Sequence, residues 1–282
     1  MKIIFVCTGN TCRSPMAEGY LKSKLIPALT VESRGLYAGG DAVSENSASV
    51  MEEIGIDIKG HISKGISRSD LDADMFICMT ASHADTLISA GIDKNKVSVL
   101  GKGICDPYGM DETAYRRCRN EIIDAIDELI YGGLINGISV RKADEKDIPK
   151  IASIENLNFS MPWSENAIKE SMKRDTVFLI AQKEDSVIGY MGLTCILDEG
   201  YVTNIAVNKD FRKSGAGTLI LNKAIDLASD KGLSFISLEV RASNKNAISL
   251  YNRLLFKEEG LRKNFYEKPK EDAIIMTRRF TF

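Results

Sequence analysis

Near the middle of this 282-residue chain, Gly132-Gly-Leu-Ile-Asn-Gly137 places three glycines within six residues. A regular helix or strand does not run through such a stretch, because glycine is the most costly ordinary residue to order in either. The break leaves two pieces of ordinary domain size, since a domain typically spans about 100–200 residues. We therefore expect two domains, at 1–132 and 138–282, joined by a short segment rather than a long linker. Each needs its own core, and the composition allows it. Apolar residues make up 44% and charged residues 27%, the balance of an ordinary soluble globular chain.

The first piece opens with an apolar run, Lys2-Ile-Ile-Phe-Val-Cys7, followed by a glycine-containing loop and then Ser14-Pro15. The run predicts a buried strand, and a proline at this point suits the first turn of a helix. Strand, loop and helix in that order begin a doubly wound α/β domain with a parallel sheet. Apolar runs at 74–79 and 97–100 predict further parallel strands. Helices are expected near 45–55 and 82–91, and over 112–131. The second piece predicts a strand from Ile138, a helix from near Asp144, and strands at 177–182, 187–197 and 201–208. A helix at about 216–231, a strand at 234–240, a helix at 244–255 and a strand at 272–279 complete it. This is a mixed α/β order with consecutive antiparallel strands in its middle.

Several classes are excluded or disfavoured. The apolar start is too short for a signal-peptide core, and no stretch reaches the ~20 apolar residues of a membrane span. A cytoplasmic protein without membrane contact is expected. Six cysteines scattered along the chain do not form a secreted disulfide framework. With only His61 and His83 present, a histidine-rich metal site is excluded, and no metal is expected. Residues 1–137 hold 14 Lys and Arg against 19 Asp and Glu, whereas the remainder holds 23 against 20. Neither half is basic enough to argue for direct nucleic-acid binding.

The sharpest chemistry lies in Cys7-Thr-Gly-Asn-Thr-Cys-Arg13-Ser14, a Cys-x5-Arg-Ser loop between a strand and a helix. Backbone N–H groups at a helix N-terminus converge on an anion, and the same positive end favours a thiolate. Cys7 is the candidate nucleophile. Thr8, Gly9, Asn10, Thr11, Cys12 and Ser14 would surround the phosphate, and Arg13 offers a planar two-pronged donor for its oxygens. Asp106, in Cys105-Asp-Pro-Tyr-Gly109 after a predicted strand, can face Cys7 as general acid and then as general base. Cys12 is open to two readings, a space filler or a reversible disulfide partner that shields Cys7 from over-oxidation.

The segment from Val6 to Glu18, the Asp-Pro-Tyr loop, Met79-Thr-x-x-His83 and Gly55-Ile-Asp-Ile-x-Gly-His61 resemble the low-molecular-weight protein-tyrosine phosphatase family. The resemblance covers roughly residues 1–131. It implies hydrolysis of a phosphorylated protein side chain through a phosphocysteine, with Asn10 shaping the loop, helped by Ser33 and His61. Thr11 resembles the protein-arginine phosphatase subgroup, where tyrosine-specific members usually carry Ile. Ser33-Arg34-Gly35 stands where the family usually has Ser-Ala-Gly.

In the second piece, Arg212-Lys-Ser-Gly215-Ala-Gly217-Thr218 follows a predicted strand and opens a helix. Such a turn lets backbone amides approach a pyrophosphate, though its glycine spacing fits neither the Walker loop nor the dinucleotide fingerprint. With Leu238-Glu-Val-Arg, Asn-x-x-Ala-x-x-Leu-Tyr251, Met161-Pro-Trp-Ser-Glu165 and Glu271-Asp-Ala-Ile-Ile-Met276, it resembles the GNAT acetyltransferase family, of the ribosomal-protein-alanine type. The resemblance implies acetyl-CoA as cosubstrate and a protein N-terminal amine as acceptor, carried by a ribosomal protein. It implies Glu239 as base, Tyr251 as acid toward the departing thiolate and Asn244 as a cofactor contact. The backbones of Ile205 and Val207 would pair with the pantetheine arm, and Arg212, Lys213, Gly215, Gly217 and Thr218 would hold the pyrophosphate. Trp163 is expected to pack, in a loop that lines the peptide groove of the family. A bifunctional enzyme is therefore expected. The rival reading is a phosphatase regulated by a non-catalytic acetyl-CoA-binding module, and the presence of Glu239 and Tyr251 argues against it.

Overall fold

The computed structural model describes residues 1–280, so that 281–282, the end of the second predicted domain, lie outside the described residues. The chain forms two compact units, the first Met1–Leu129 and the second beginning at Ile130.

In the first unit, β1 (Lys2–Cys7) lies between β2 (Thr30–Gly35) and β3 (Met75–Cys78), with β4 (Val97–Val99) outside β3. All four strands are parallel. Ile3, Ile4, Phe5 and Val6 are fully buried, and β1 is an unbroken apolar run because both of its faces are covered. The helices are α1 (Arg13–Ser23), α2 (Glu45–Glu52), α3 (Ala81–Ser89) and α4 (Glu112–Tyr131). No apolar run marks β2 in the sequence. It carries Glu32 and Arg34, and the Arg34 fork is satisfied locally by both Asp70 oxygens, at 2.9 and 2.7 Å, and by Glu32. β2 ends at Gly35, where a Cβ would come within 2.9 Å of the Thr8 oxygen and the Gly9 carbonyl carbon. Only glycine lets this strand end press against the loop that follows β1.

The second unit is one seven-stranded sheet in the order β10-β11-β9-β8-β7-β6-β5. Its strands are β5 (Ile138–Lys142), β6 (Thr176–Lys183), β7 (Ser186–Ile196), β8 (Glu199–Val207), β9 (Phe235–Arg241), β10 (Lys257–Glu267) and β11 (Lys270–Arg279). Its helices are α5 (Ile148–Asn158), α6 (Glu165–Met172), α7 (Ala216–Asp230) and α8 (Lys245–Arg253). Ile148 and Ile151 of α5 share a core cluster with Phe178, Ile180 and Tyr190. On α7, Leu219, Ile220, Leu221 and Ala224 are fully buried. The helix expected near Asp144 starts later. Asp144 and Asp147 close a capping box around a single 3-10 turn, and α5 begins at Ile148. Neither α6 nor β10 was anticipated.

Only β8 and β9 run parallel in this sheet, and they pair at three positions alone, from Glu199 with Phe235 to Tyr201 with Ser237. Beyond that point β8 continues to Val207 and β9 to Arg241, each paired only on its outer side. The two strands thus open a wedge with unpaired backbone on its inner edges. Among the described residues no helix is long and apolar enough to cross a membrane.

Candidate active sites

The end of β1 and the start of α1 bring the first constellation together. Cys7 Sγ lies 3.0 Å from Ser14 Oγ and receives the Asn10 N–H at 3.2 Å. The loop turns at Asn10, which has φ +55°, a left-handed conformation that Asn tolerates better than most residues. Its side chain holds the turn from behind. Nδ2 donates to Ser14 Oγ at 2.9 Å and to Ser33 Oγ at 2.8 Å, and Oδ1 accepts from Lys64 N–H at 2.8 Å. The His61 ring nitrogen Nε2 lies 3.0 Å from the Asn10 carbonyl oxygen. Asn10 and Ser14 are fully buried, so of the predicted phosphate contacts these two support the loop from inside.

Arg13 is 4% exposed, donates to the Ile104 carbonyl at 3.2 Å and pairs with Asp106. Thr8, Gly9, Thr11 and Cys12 line a cavity of about 470 Å³ together with Cys7, Arg13 and Asp106. Cys7 and Arg13 are its buried lining, whereas its exposed rim carries two carboxylates, Asp41 and Asp106, and the ring of Tyr108. Asp41 is exposed and makes no ion pair among the described residues.

Three side chains at this site went unassigned in the sequence. His83 donates or accepts on both ring nitrogens, with Thr8 Oγ1 at 2.9 Å and Thr80 Oγ1 at 2.8 Å. Burial, then the Arg13 charge, holds it below the usual histidine range. Tyr115 of α4 places its hydroxyl 3.5 Å from Cys12 Sγ, and burial pushes the phenol up to about 12. Asp41 follows Gly39-Gly40, where nothing in the pattern marks a wall residue. A signal existed only for His83, three positions after the helix-capping Thr80. Burial pushes the thiols of Cys78 and Cys118 up to about 12, which suits inert core positions.

The second constellation surrounds the wedge. Ile205 and Val207 lie on β8 past its last pairing with β9, and their strand is held from the other side by Met191 and Gly189. The turn after β8 leads to Gly215, which caps α7 at φ +100°. Gly217 and Thr218 are in the first turn of α7. Lys213 is exposed in a left-handed conformation, φ +64°. Arg212 donates to Val207 O at 3.3 Å and to Asn158 Oδ1 at 2.8 Å.

Glu239, on β9 past the paired stretch, forms an ion pair with Arg262 at 3.2 Å. Arg241 turns elsewhere, to Glu271 at 3.1 Å and over the Tyr266 ring at 4.1 Å. Tyr251 of α8 is buried against Phe256, and burial raises its phenol. Asn244 spends its amide oxygen on capping α8, accepting the Ala247 N–H at 3.2 Å, which leaves its NH₂ for a ligand. Trp163 packs against the cluster of α5 and β6. It also borders a second cavity of about 440 Å³, between α6 and the ends of β6 and β7.

These two arrangements define a cysteine-dependent phosphatase fold followed by an acyl-CoA-type transferase fold. Residues 2–143 match the family model for low molecular weight phosphotyrosine protein phosphatase, and residues 148–256 match the acetyltransferase (GNAT) family. The chain belongs to both families, one in each part. A putative [ribosomal protein bS18]-alanine N-acetyltransferase of Bacillus subtilis is 31% identical over 140 residues, 49% of this chain and 93% of that protein. The low molecular weight protein-tyrosine-phosphatase PtpB of Staphylococcus epidermidis is 36% identical over 138 residues, 46% of this chain and 98% of its own. A protein-arginine-phosphatase of Geobacillus stearothermophilus is also 36% identical over 138 residues, 45% of this chain and 93% of its own. Phosphatase and acetyltransferase are thus fused in one enzyme.

Proposed function

We propose that the first unit hydrolyses phosphorylated arginine or tyrosine side chains of proteins, and that the second acetylates a protein N-terminal amine, as on a ribosomal protein beginning with Ala. The observation that carries the phosphatase half is the convergence on one cavity of the Cys7 thiol, the Arg13 guanidinium and the Asp106 carboxylate. In this reading Cys7 Sγ attacks phosphorus, its negative charge met by the Asn10 N–H and the Ser14 hydroxyl. Arg13 leaves Asp106 and grips two phosphoryl oxygens. Asp106 gives its proton to the leaving group, then takes one from the water that cleaves the phosphocysteine. A rim with two carboxylates and the Thr11 hydroxyl suits a guanidinium better than a phenyl ring, and so favours phosphoarginine.

For the second unit, the wedge fits an extended pantetheine arm as an added strand, and the Gly215 turn fits a pyrophosphate at the start of α7. Acetyl-CoA would supply the acyl group as an activated thioester. Ile205 and Val207 would hold it by main-chain hydrogen bonds, and Arg212 to Thr218 by charge and amides. Glu239 takes the proton from the incoming amine, and Tyr251 protonates the leaving sulfur. The test runs both assays on the full chain: turnover of phosphoarginine and phosphotyrosine peptides, and acetylation of short peptides with Ala first. Turnover of neither phosphopeptide, or no acetyl transfer to any peptide, would refute the corresponding half.

A further inference from the structure

Glu155 of α5 is fully enclosed. Removing a carboxylate from water is costly unless its oxygens find donors, so such a residue asks for an explanation. Both oxygens are engaged. Oε2 accepts the Trp163 N–H at 2.8 Å, and Oε1 accepts from Asn204 Nδ2 at 2.7 Å. Burial pushes the carboxyl above the usual range, an effect that the two donors oppose.

The donors belong to different parts of the second site. Trp163 lies in the segment 159–164 between α5 and α6, the segment that resembles the peptide-groove loop. Asn204 immediately precedes Ile205, on the stretch of β8 whose inner edge faces the wedge. Segment 160–163 has no other hydrogen bond among the described residues. Apart from the packing of Phe159 and of the Trp163 indole against the core, then, this loop is referenced to the sheet through one carboxylate. Asn158, one helical turn after Glu155, meanwhile accepts from Arg212 of the glycine turn. The last turn of α5 therefore touches the acceptor loop, the donor strand and the pyrophosphate turn together.

We propose that Glu155 is a positioning residue for the acceptor: it ties the Trp163 loop to β8 at Asn204, so that the amine is presented level with the wedge. The inference rests on the acetyl-transfer reading for its functional consequence, whereas its structural content can be tested without catalysis. Trp163 is the only tryptophan of the chain, so tryptophan emission reports this loop alone.

Asn204→Asp sets a second carboxylate against Glu155 where a donor stood. Adding Glu155→Gln to it restores one donor facing Asn204→Asp and one acceptor facing Trp163, with the charge of the original pair. For N204D we expect red-shifted emission and about twofold steeper acrylamide quenching. The KM for an Ala-first peptide should rise about tenfold, the scale of one buried contact turned repulsive, while the acetyl-CoA Kd moves less than about twofold. The double variant E155Q/N204D should return each readout to near the parent value. A second pair covers the case in which N204D does not fold. E155A, which removes both acceptors, should behave as N204D does, whereas E155Q should stay near the parent, because its oxygen keeps the Trp163 contact and its NH₂ donates to the Asn204 oxygen once that amide turns over. Parent-like emission and KM in N204D and E155A, or a double variant no better than N204D, would overturn the proposal. A parent enzyme that acetylates no peptide would sink the acetyl-transfer reading instead, and the emission of the variants would still decide the role of Glu155.

Discussion

Asn10 never needs to touch phosphate to govern the first site. It is fully buried, sits at φ +55° and makes four side-chain hydrogen bonds that fix the loop around Cys7, the fourth between Oδ1 and His61 Nε2 at 3.2 Å. Alanine there leaves the Lys64 N–H without an acceptor and puts a less tolerant residue in the left-handed region. N10A should cost the first unit about 2 kcal/mol or more, read from its unfolding transition in urea. Its phosphatase kcat/KM should fall about 100-fold, the usual effect of misplacing reacting groups by about 1 Å. In the proposed reading Asp41 would act on selection instead. It lies unpaired on the rim of the same cavity, where in the proposed reading the distal part of the substrate side chain would pass. In D41N the ratio of kcat/KM for phosphoarginine over phosphotyrosine peptides should drop about tenfold, one charge-assisted contact's worth. An unchanged ratio would remove Asp41 from specificity.

At the scale of elements, two histidines fasten the loop after β1 to its surroundings, His83 from α3 to Thr8 and His61 from the segment after α2 to Asn10. Burial holds both below the usual histidine range. The unfolded chain therefore binds more protons than the folded one between the folded values and the ordinary value of about 6.5. Their contribution is complete above about pH 6.5 and is lost as pH falls through the folded values. The melting temperature of the first unit should fall between about pH 7.5 and 5.5, above the ordinary carboxylate range. H61Q/H83Q, already less stable, should show a shallower fall, and an identical slope would count against the linkage. The elements legible in the sequence were those with strong apolar period or fixed chemistry: β1, the loop from Cys7 to Ser14, α4, α7 and the Gly215 turn. Three were not. β2 alternates Glu32 and Arg34, whose partner Asp70 is distant in sequence. β10 is an edge strand with nearly every residue exposed, so no buried face imprints a pattern on it. α6 spans only eight residues, with Ile168 alone buried.

The proposed function uses one solution twice: a turn between a strand and the helix that follows it, suited to an anion. In the first unit the turn is β1 to α1, and the cysteine at its base is the proposed nucleophile. In the second it is β8 to α7, and its proposed role is to grip, with the proposed proton-handling groups, Glu239 and Tyr251, supplied by β9 and α8. Each set of chemical groups lies inside one unit, Cys7 to Asp106 in the first and Asn158 to Tyr251 in the second. No residue assigned to either proposed chemistry belongs to the other unit. Cys7→Ser should therefore abolish phosphatase turnover while acetyl transfer stays within about twofold of the parent. Glu239→Gln should do the reverse, lowering acetyl transfer about 100-fold or more, as loss of a general base does. Both activities measured on the same preparation of each variant check this. A loss of acetyl transfer in C7S, in protein that still melts as the parent does, would mean that the thiol or its loop serves the second reaction as well, and the two half-chains could no longer be treated as separately assembled sites.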